Sequence, residues 1–348
     1  MIFEKYKDKG ISGLSNLGNT CFINSCVQVL SHTYELNEFL NLEIYKKKLK
    51  NNVDSALLIE WDNLRKLLWS ENCVISPGKF VNTIKKVAHV KDVEIFTGYS
   101  QNDLPEFLLF IIDCFHTALS REIKMTISGT AENERDNVAI KCYEMIKNMY
   151  SKEYSEIWNL FYAIHVSELI SLETNTRINI TPEPFSIIDL PIPKDNKSPT
   201  LIDCLNLYIE GEILDGENAW YNEKTKIKES VKKKISFWSF PTILVIDFKR
   251  FNARNQKNQI YIEFPFELDL TTYVIGYKKN SFKYELFGVC NHSGGVLGGH
   301  YTCYIKNAND KWYHYNDTSV SEVPLTQSIV SPKAYVLFYR KINKILEK

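Results

Sequence analysis

The hydrophobic pattern of this chain changes period once, and that change limits the folds open to it. Up to about residue 160 the apolar residues recur at helical spacing. SALLIEWDNLRKLLWS sets Leu57, Trp61, Leu64 and Leu68 on one stripe. NDLPEFLLFIIDCFHTAL repeats the pattern with Leu104, Leu108, Ile111 and Phe115, and Pro105 is tolerable there only in the first turn. SPGKF offers Ser76 as an N-cap with Pro77 at the first helical position, and residues 133–150 read as a more polar helix. From about Phe161 the runs become short and β-rich: FSIIDLPI, PTILVIDFKRF, YIEFPFELDL, YELFGVC, HYTCYIK, KWYHYND and AYVLFYR. Helices first and strands later predict an α+β protein with an antiparallel sheet.

Charge and cysteine usage exclude several function classes. The chain has 348 residues, with 42 basic and 42 acidic side chains. A net charge of zero argues against a nucleic-acid binder and a membrane-surface binder. The opening MIFEKYKDKG has no apolar secretory core, and runs such as Phe107 to Ile112 are too short to span a bilayer. An intracellular protein, cytoplasmic or nuclear, is expected. The eight cysteines are scattered without a framework, which suits reduced thiols. No CxxC occurs, so no structural zinc and no other cofactor is expected.

One cysteine stands apart. In GLSNLGNTCFINSCVQVL, Cys21 lies where a glycine-containing turn meets an apolar helix, with Thr20 as the N-cap. The positive end of that helix would favour thiolate and lower the thiol pKa. The chain alone leaves Cys21 open between nucleophile and core filler, whereas Cys26, further along the helix, reads as core. A cysteine nucleophile needs a base, and the base needs an orienting group. Among seven histidines His300 has the right company: two glycines precede it, and a β-like run begins with it. A strand 311–315 paired with 300–306 would carry Asn316 or Asp317 back to its imidazole. His32, His89, His116, His165, His292 and His314 read as structural.

GLSNLGNTCFINSCVQVL resembles the cysteine box of the ubiquitin-specific proteases, papain-like deubiquitinating enzymes. HSGGVLGGHYTCYIKN with KWYHYNDTSV resembles their histidine box. YSQNDLPEFLLFIIDCFH, PTILVIDFKRF and AYVLFYRK resemble the landmarks between and after, in order, so the likeness covers residues 11–341. The resemblance implies one catalytic domain with a helical thumb (about 11–160), β fingers (161–236) and an antiparallel β palm (237–341). Residues 1–10 would be an N-terminal extension and 342–348 a tail.

It also implies roles. Cys21 would be the nucleophile, His300 the base, Asn316 the third member with Asp317 beside it, and Asn16 an oxyanion donor. Asp103 and Glu106 would meet basic residues of the ubiquitin tail. Gly298, Gly299 and Tyr301 would line a slot for its Gly-Gly end, Phe251 would pack beside it, and the turn 291–299 would be a mobile loop over it. The activity implied is thioester-forming hydrolysis after the C-terminal glycine of ubiquitin, by a monomer acting on ubiquitinated proteins. A catalytically weak ubiquitin-binding module and a protease for a ubiquitin-like modifier are the alternatives. The chain departs from the family at the fingertips, where two zinc-binding CxxC pairs are usual. SLETNTR and NAWYNEKTK hold no cysteine, with Tyr221 and Lys224 in the second pair's places. Fingers held by strand pairing and apolar contacts alone are therefore expected. Gln101-Asn102 replaces the usual Gln-Gln.

Overall fold

In the computed structural model, α1 (Cys21–Ser31) runs through the centre of a helical lobe with all of its residues buried. The structure describes residues 3–98, 100–223, 225–277, 282–295 and 298–342. Around α1 stand α2 (Tyr34–Asn41), α3 (Val53–Leu68), α4 (Gly78–Val90) and α5 (Leu104–Leu119), followed by α6 (Glu134–Tyr150) and α7 (Glu156–Phe161). Asn52 caps α3 by accepting from the Ser55 N–H, and the stripe Leu57, Trp61, Leu64, Leu68 is buried as its spacing predicts. Trp61 packs against Phe80 of α4 and Phe115 of α5, each at 5.9 Å between ring centroids. Burying such side chains contributes roughly 1.5–3 kcal/mol apiece. Pro105 does fall in the first turn of α5. Helix α4 starts one residue later than expected, with Pro77 rather than Ser76 at the N-cap.

The segment before residue 11 is not an extension outside the domain. Tyr6 is buried and stacks on Tyr34 at 4.6 Å, and the Arg340 guanidinium covers both Phe3 and Tyr34. The chain then forms β1 (Gly13–Leu14), parallel to β2 (Val74–Ile75).

Two larger sheets follow. β3 (Ala163–Ser171) and β4 (Arg177–Phe185) make a long hairpin, after which β5 (Ile187–Leu190) and α8 (Leu201–Glu210) turn away from it. β6 (Glu212–Leu214) and β9 (Val231–Phe237) return, giving the order β4-β3-β9-β6, with β7 (Trp220–Asn222) and β8 (Ile227–Glu229) as a separate pair. The large sheet holds β10 (Ile243–Phe248), β11 (Glu267–Asp269), β12 (Lys283–Gly295), β13 (Gly298–Lys306), β14 (Trp312–Asn316), β15 (Ser319–Glu322) and β16 (Ala334–Lys341). Its order is β15-β14-β13-β12-β16-β10-β5, with β11 on β12. The fingers expected at 161–236 are thus interrupted. β5 pairs with β10, and Ile188, Leu190, Leu201 and Leu205 belong to the core of the large sheet's outer face.

The sheet's other face packs on α1 and α5, so one sheet is covered on both sides. That places the start of α1 against β13, the strand carrying His300. At the tip of the fingers, polar contacts add to strand pairing: Asn222 Nδ2 and Thr225 Oγ1 both donate to Glu229 Oε1, at 2.7 and 2.8 Å. The expectation of pairing and apolar contacts alone is corrected there, and Lys224 lies outside the described residues. Among the described residues no helix is long and apolar enough to cross a membrane, and no three His, Cys, Asp or Glu side chains gather as metal ligands.

Candidate active site

β13 and β14 form the expected antiparallel hairpin, in register from Cys303 opposite Tyr315 to Lys306 opposite Trp312. Asn316 closes β14 and lies beyond the paired stretch, where its amide Oδ1 meets His300 Nε2 at 2.7 Å. The carbonyl oxygen can only accept, so Nε2 carries the proton in this bond. Nδ1 of the neutral imidazole is then the basic nitrogen.

Cys21 is the first residue of α1 and is buried. The backbone N–H of Tyr301, next to His300, points at its sulfur, and Gln101 Nε2 lies 3.6 Å from it. Burial pushes the Cys21 thiol above its ordinary value. The Tyr301 N–H opposes this, the Asp317 charge adds to it, and the N–H groups of Phe22 and Cys21 at the helix start oppose it. The expected lowering by the helix end is thus present but outweighed by desolvation. Thr20 holds the N-cap position, yet its hydroxyl accepts from the Leu17 N–H at 2.9 Å and makes no cap.

The turn before Cys21 is organised by Asn16. Its Oδ1 accepts from the N–H groups of Gly18 and Thr20, at 3.0 and 3.2 Å, and its Nδ2 donates to Asp317 Oδ2 at 3.0 Å. Asn24 Nδ2, on the first turn of α1, donates to Asp317 Oδ1 at 2.7 Å. The Asp317 carbonyl accepts from the Leu14 N–H, and Asp317 itself adopts a left-handed φ of 48°. Asp317 therefore braces the Cys21 turn against the His300 hairpin, while Asn316 alone of the pair bonds the imidazole.

The remaining expected residues lie at the start of α5, on β13 and just after β10. Asp103 is at the N-cap position of α5 but does not cap it. Its Oδ1 accepts from the hydroxyls of Tyr301 and Tyr335, at 3.2 and 2.9 Å. Burial raises the Asp103 carboxyl above its usual range. Glu106, in the first turn of α5, is exposed. Phe251 lies among His292 and Tyr335, at 5.8 and 6.1 Å. His292 is buried against Tyr301, accepts from Lys257 Nζ at 3.0 Å, and is pushed down to about 4 by burial and that cation. A Cβ at Gly299 would collide with His292 Nε2 and the Ser293 carbonyl, whereas one at Gly298 would meet open space. The expected loop 291–299 is largely strand, paired from Asn291 opposite Thr302 to Gly295 opposite Gly298. Val296 and Leu297 lie outside the described residues.

Sequence reasoning missed Gln101 and Asn24. Gln101 was legible only as part of a motif, yet it bonds both backbone groups of Gly299, at 2.5 Å each. Asn24 sits one turn after Thr20 in a wholly buried helix, and a buried amide there is the signal. His32, His116 and His165 have structural partners in Gln28 O, Ser155 Oγ and Glu183.

A sequence model of the family described as "Ubiquitin carboxyl-terminal hydrolase" matches residues 12–339. The "Ubiquitin carboxyl-terminal hydrolase 2" of Bos taurus is 34% identical over 341 residues, covering 95% of this chain and 55% of its own length. The protein of the same name from Gallus gallus is 36% identical over 344 residues, covering 95% of this chain and 93% of its own. The chain thus spans about half the length of the bovine relative and nearly all of the chicken one. Among solved structures, the SAGA Ubp8/Sgf11/Sus1/Sgf73 DUB module bound to ubiquitin aldehyde matches with a TM-score of 0.73 at 24% identity. The match covers 99% of this chain and 72% of that one. The likeness supports the fold.

Proposed function

Because this chain belongs to the ubiquitin carboxyl-terminal hydrolase family, we propose that it is a thiol-dependent deubiquitinase. It hydrolyses the isopeptide or peptide bond after the C-terminal glycine of ubiquitin, and its partners are ubiquitin and ubiquitinated proteins. The observation that carries this reading is the His300–Asn316 bond of 2.7 Å, on the strand whose Tyr301 N–H points at Cys21. Asn316 holds the Nε2–H tautomer, which leaves Nδ1 to take the Cys21 proton.

Burial keeps the thiol protonated in the free protein, so proton transfer to His300 accompanies attack. The sulfur bonds to the glycine carbonyl carbon, and the carbonyl oxygen gains the charge. Asn16 Nδ2 has a second N–H beyond the one given to Asp317, and it lies in the turn with the Cys21 N–H. One good donor of this kind contributes about 3 kcal/mol. The C–N bond breaks as the imidazolium passes its proton to the leaving lysine amine. A water then loses a proton to His300, attacks the thioester, and frees Cys21.

The test is intact mass spectrometry after incubation with ubiquitin carrying a C-terminal electrophile, alongside Cys21→Ala. The expected result is one ubiquitin adduct on the wild type alone. No adduct, with ubiquitin binding retained, would turn the reading to a binding module. Reaction only with a different modifier's probe would reassign the substrate.

A further inference from the structure

The rungs between β13 and β14 stop at Tyr315, opposite Cys303. Asn316 pairs only with Ser319, across the short turn to β15. No rung ties its backbone to the strand that carries His300, so the aim of its amide depends on the residues either side. Asp317, after it, is held by Asn16 and Asn24. Tyr315, before it, is held by its hydroxyl.

The Tyr315 ring is buried, and its Oη lies 3.1 Å from the Gly10 carbonyl and 3.2 Å from His32 Nε2. His32 Nδ1 faces the Gln28 carbonyl at 2.8 Å. A carbonyl only accepts, so Nδ1 carries the proton and Nε2 of the neutral ring accepts. One hydroxyl proton thus serves two acceptors, one at the end of α1 and one on the segment before β1. A phenylalanine would fill the same space; the hydroxyl is what ties it.

Both acceptors are themselves fixed. The His32 ring sits among Trp69 and Tyr34, at 5.1 and 6.3 Å, and its carbonyl accepts from Arg340 Nη2 at 2.8 Å. Gly10 has a left-handed φ of 72°, and a Cβ there would strike the Trp69 ring. The two residues before it are clipped to the β13–β14 turn. The Asp8 N–H donates to Asn307 Oδ1 at 3.3 Å, Asn307 Nδ2 to the Lys9 carbonyl at 2.8 Å, and Asn309 Nδ2 to Asp8 Oδ1 at 2.7 Å. From the helical lobe, Asn72 Nδ2 donates to the Asp8 carbonyl at 3.0 Å. Residues 8–10 therefore form a strap along the hairpin, bonded to its turn at one end and to Tyr315 at the other.

We propose that Tyr315 is a positioning residue: clasped by the Gly10 strap and by His32, it holds β14 so that the Asn316 amide meets the His300 imidazole. The assignment rests on the deubiquitinase reading, in which Asn316 orients His300.

Tyr315→Phe removes the hydroxyl and keeps the ring. On a ubiquitin C-terminal fluorogenic amide, kcat should fall about tenfold with KM unchanged. Gly10→Ala disturbs the strap without altering Tyr315 and should act in the same direction. Because the effect runs through Asn316, Tyr315→Phe should cost less than about twofold in an Asn316→Ala background. A second readout needs no substrate. Long-range proton–nitrogen spectra of histidine-labelled protein report the His300 tautomer. The wild type should show Nε2–H alone, and Tyr315→Phe a mixture with Nδ1–H. Unchanged kcat in an active protein, an unaltered tautomer, or the same fold-loss with and without Asn316 would each overturn the positioning role. A tautomer shift in a protein without turnover sinks the enzyme reading alone, and turnover without the shift sinks the positioning role alone.

Discussion

Gln101 and Gly299 hold each other across the two lobes. The Gln101 Oε1 accepts from the Gly299 N–H and its Nε2 donates to the Gly299 carbonyl, each at 2.5 Å, while the same Nε2 lies 3.6 Å from Cys21 Sγ. One amide thus sets the distance between the palm hairpin and the thiol. Gln101→Ala removes two neutral hydrogen bonds, each contributing about 1 kcal/mol. We expect kcat/KM on a ubiquitin fluorogenic amide to fall about tenfold or more. Gln101→Glu should do at least as much harm, since it presents a carboxylate oxygen to the Gly299 carbonyl. Unchanged kinetics in both variants would remove Gln101 from the site.

Asn316 and Asp317 are adjacent but serve different partners. Asn316→Ala frees the imidazole and should lower kcat by about 100-fold or more, with KM and melting temperature little changed. Asp317→Ala strands the amides of Asn16 and Asn24, so it should lower melting temperature as well as kcat. Asp317→Asn removes a charge that raises the Cys21 thiol, so its rate of alkylation should rise at lower pH than in the wild type. If Asp317→Ala proves the more damaging to kcat without loss of stability, the orienting role belongs to Asp317.

The two glycines before His300 should separate by assay. Gly299→Ala forces a Cβ onto His292 and Ser293, and should cost both folding stability and activity. Gly298→Ala meets open space in the free protein and should leave the melting curve alone. It should raise KM if that space receives the substrate tail. A Gly298→Ala protein with wild-type KM would place the tail elsewhere.

Stability should fall in acid through His32. Burial holds His32 down to about 4 from 6.5, so between those values the unfolded chain takes up a proton that the folded one does not. The folded state loses stability as pH falls through that window, by about 3 kcal/mol at most, and His292 acts with the same sign. Asp247, raised to about 8, works oppositely: the folded state holds a proton that the unfolded one has lost, so stability declines as pH rises from about 4 to 8. Urea midpoints across pH 4–9 should show both limbs. His32→Gln should flatten the acid limb, and Asp247→Asn the neutral one.

What the sequence made legible follows from how local each signal is. The α3 stripe and the β13–β14 hairpin depend on spacing within one or two elements, and both fold as expected. His300 and Asn316 meet because the hairpin carries Asn316 back to the strand that faces α1. The brace between Asp317 and Asn24 was opaque for the opposite reason. Its meaning lies in a bond between residues nearly three hundred positions apart, which no local pattern announces. The thiol's direction of shift was hidden as well, since a helix end is visible in sequence and the depth of burial around it is not. β5 escaped assignment to the palm because a four-residue parallel strand carries no mark of its partner.

The brace from Asn16 and Asn24 to Asp317 has a consequence for how the protein is made. The ribosome delivers Cys21 long before His300, Asn316 and Asp317. Until then the thiol's helix has no strand to rest on and no imidazole to meet. On the proposed function the thiol therefore stays silent while the chain between Cys21 and His300 is made, and reactivity arrives when the hairpin of β13 and β14 closes over α1.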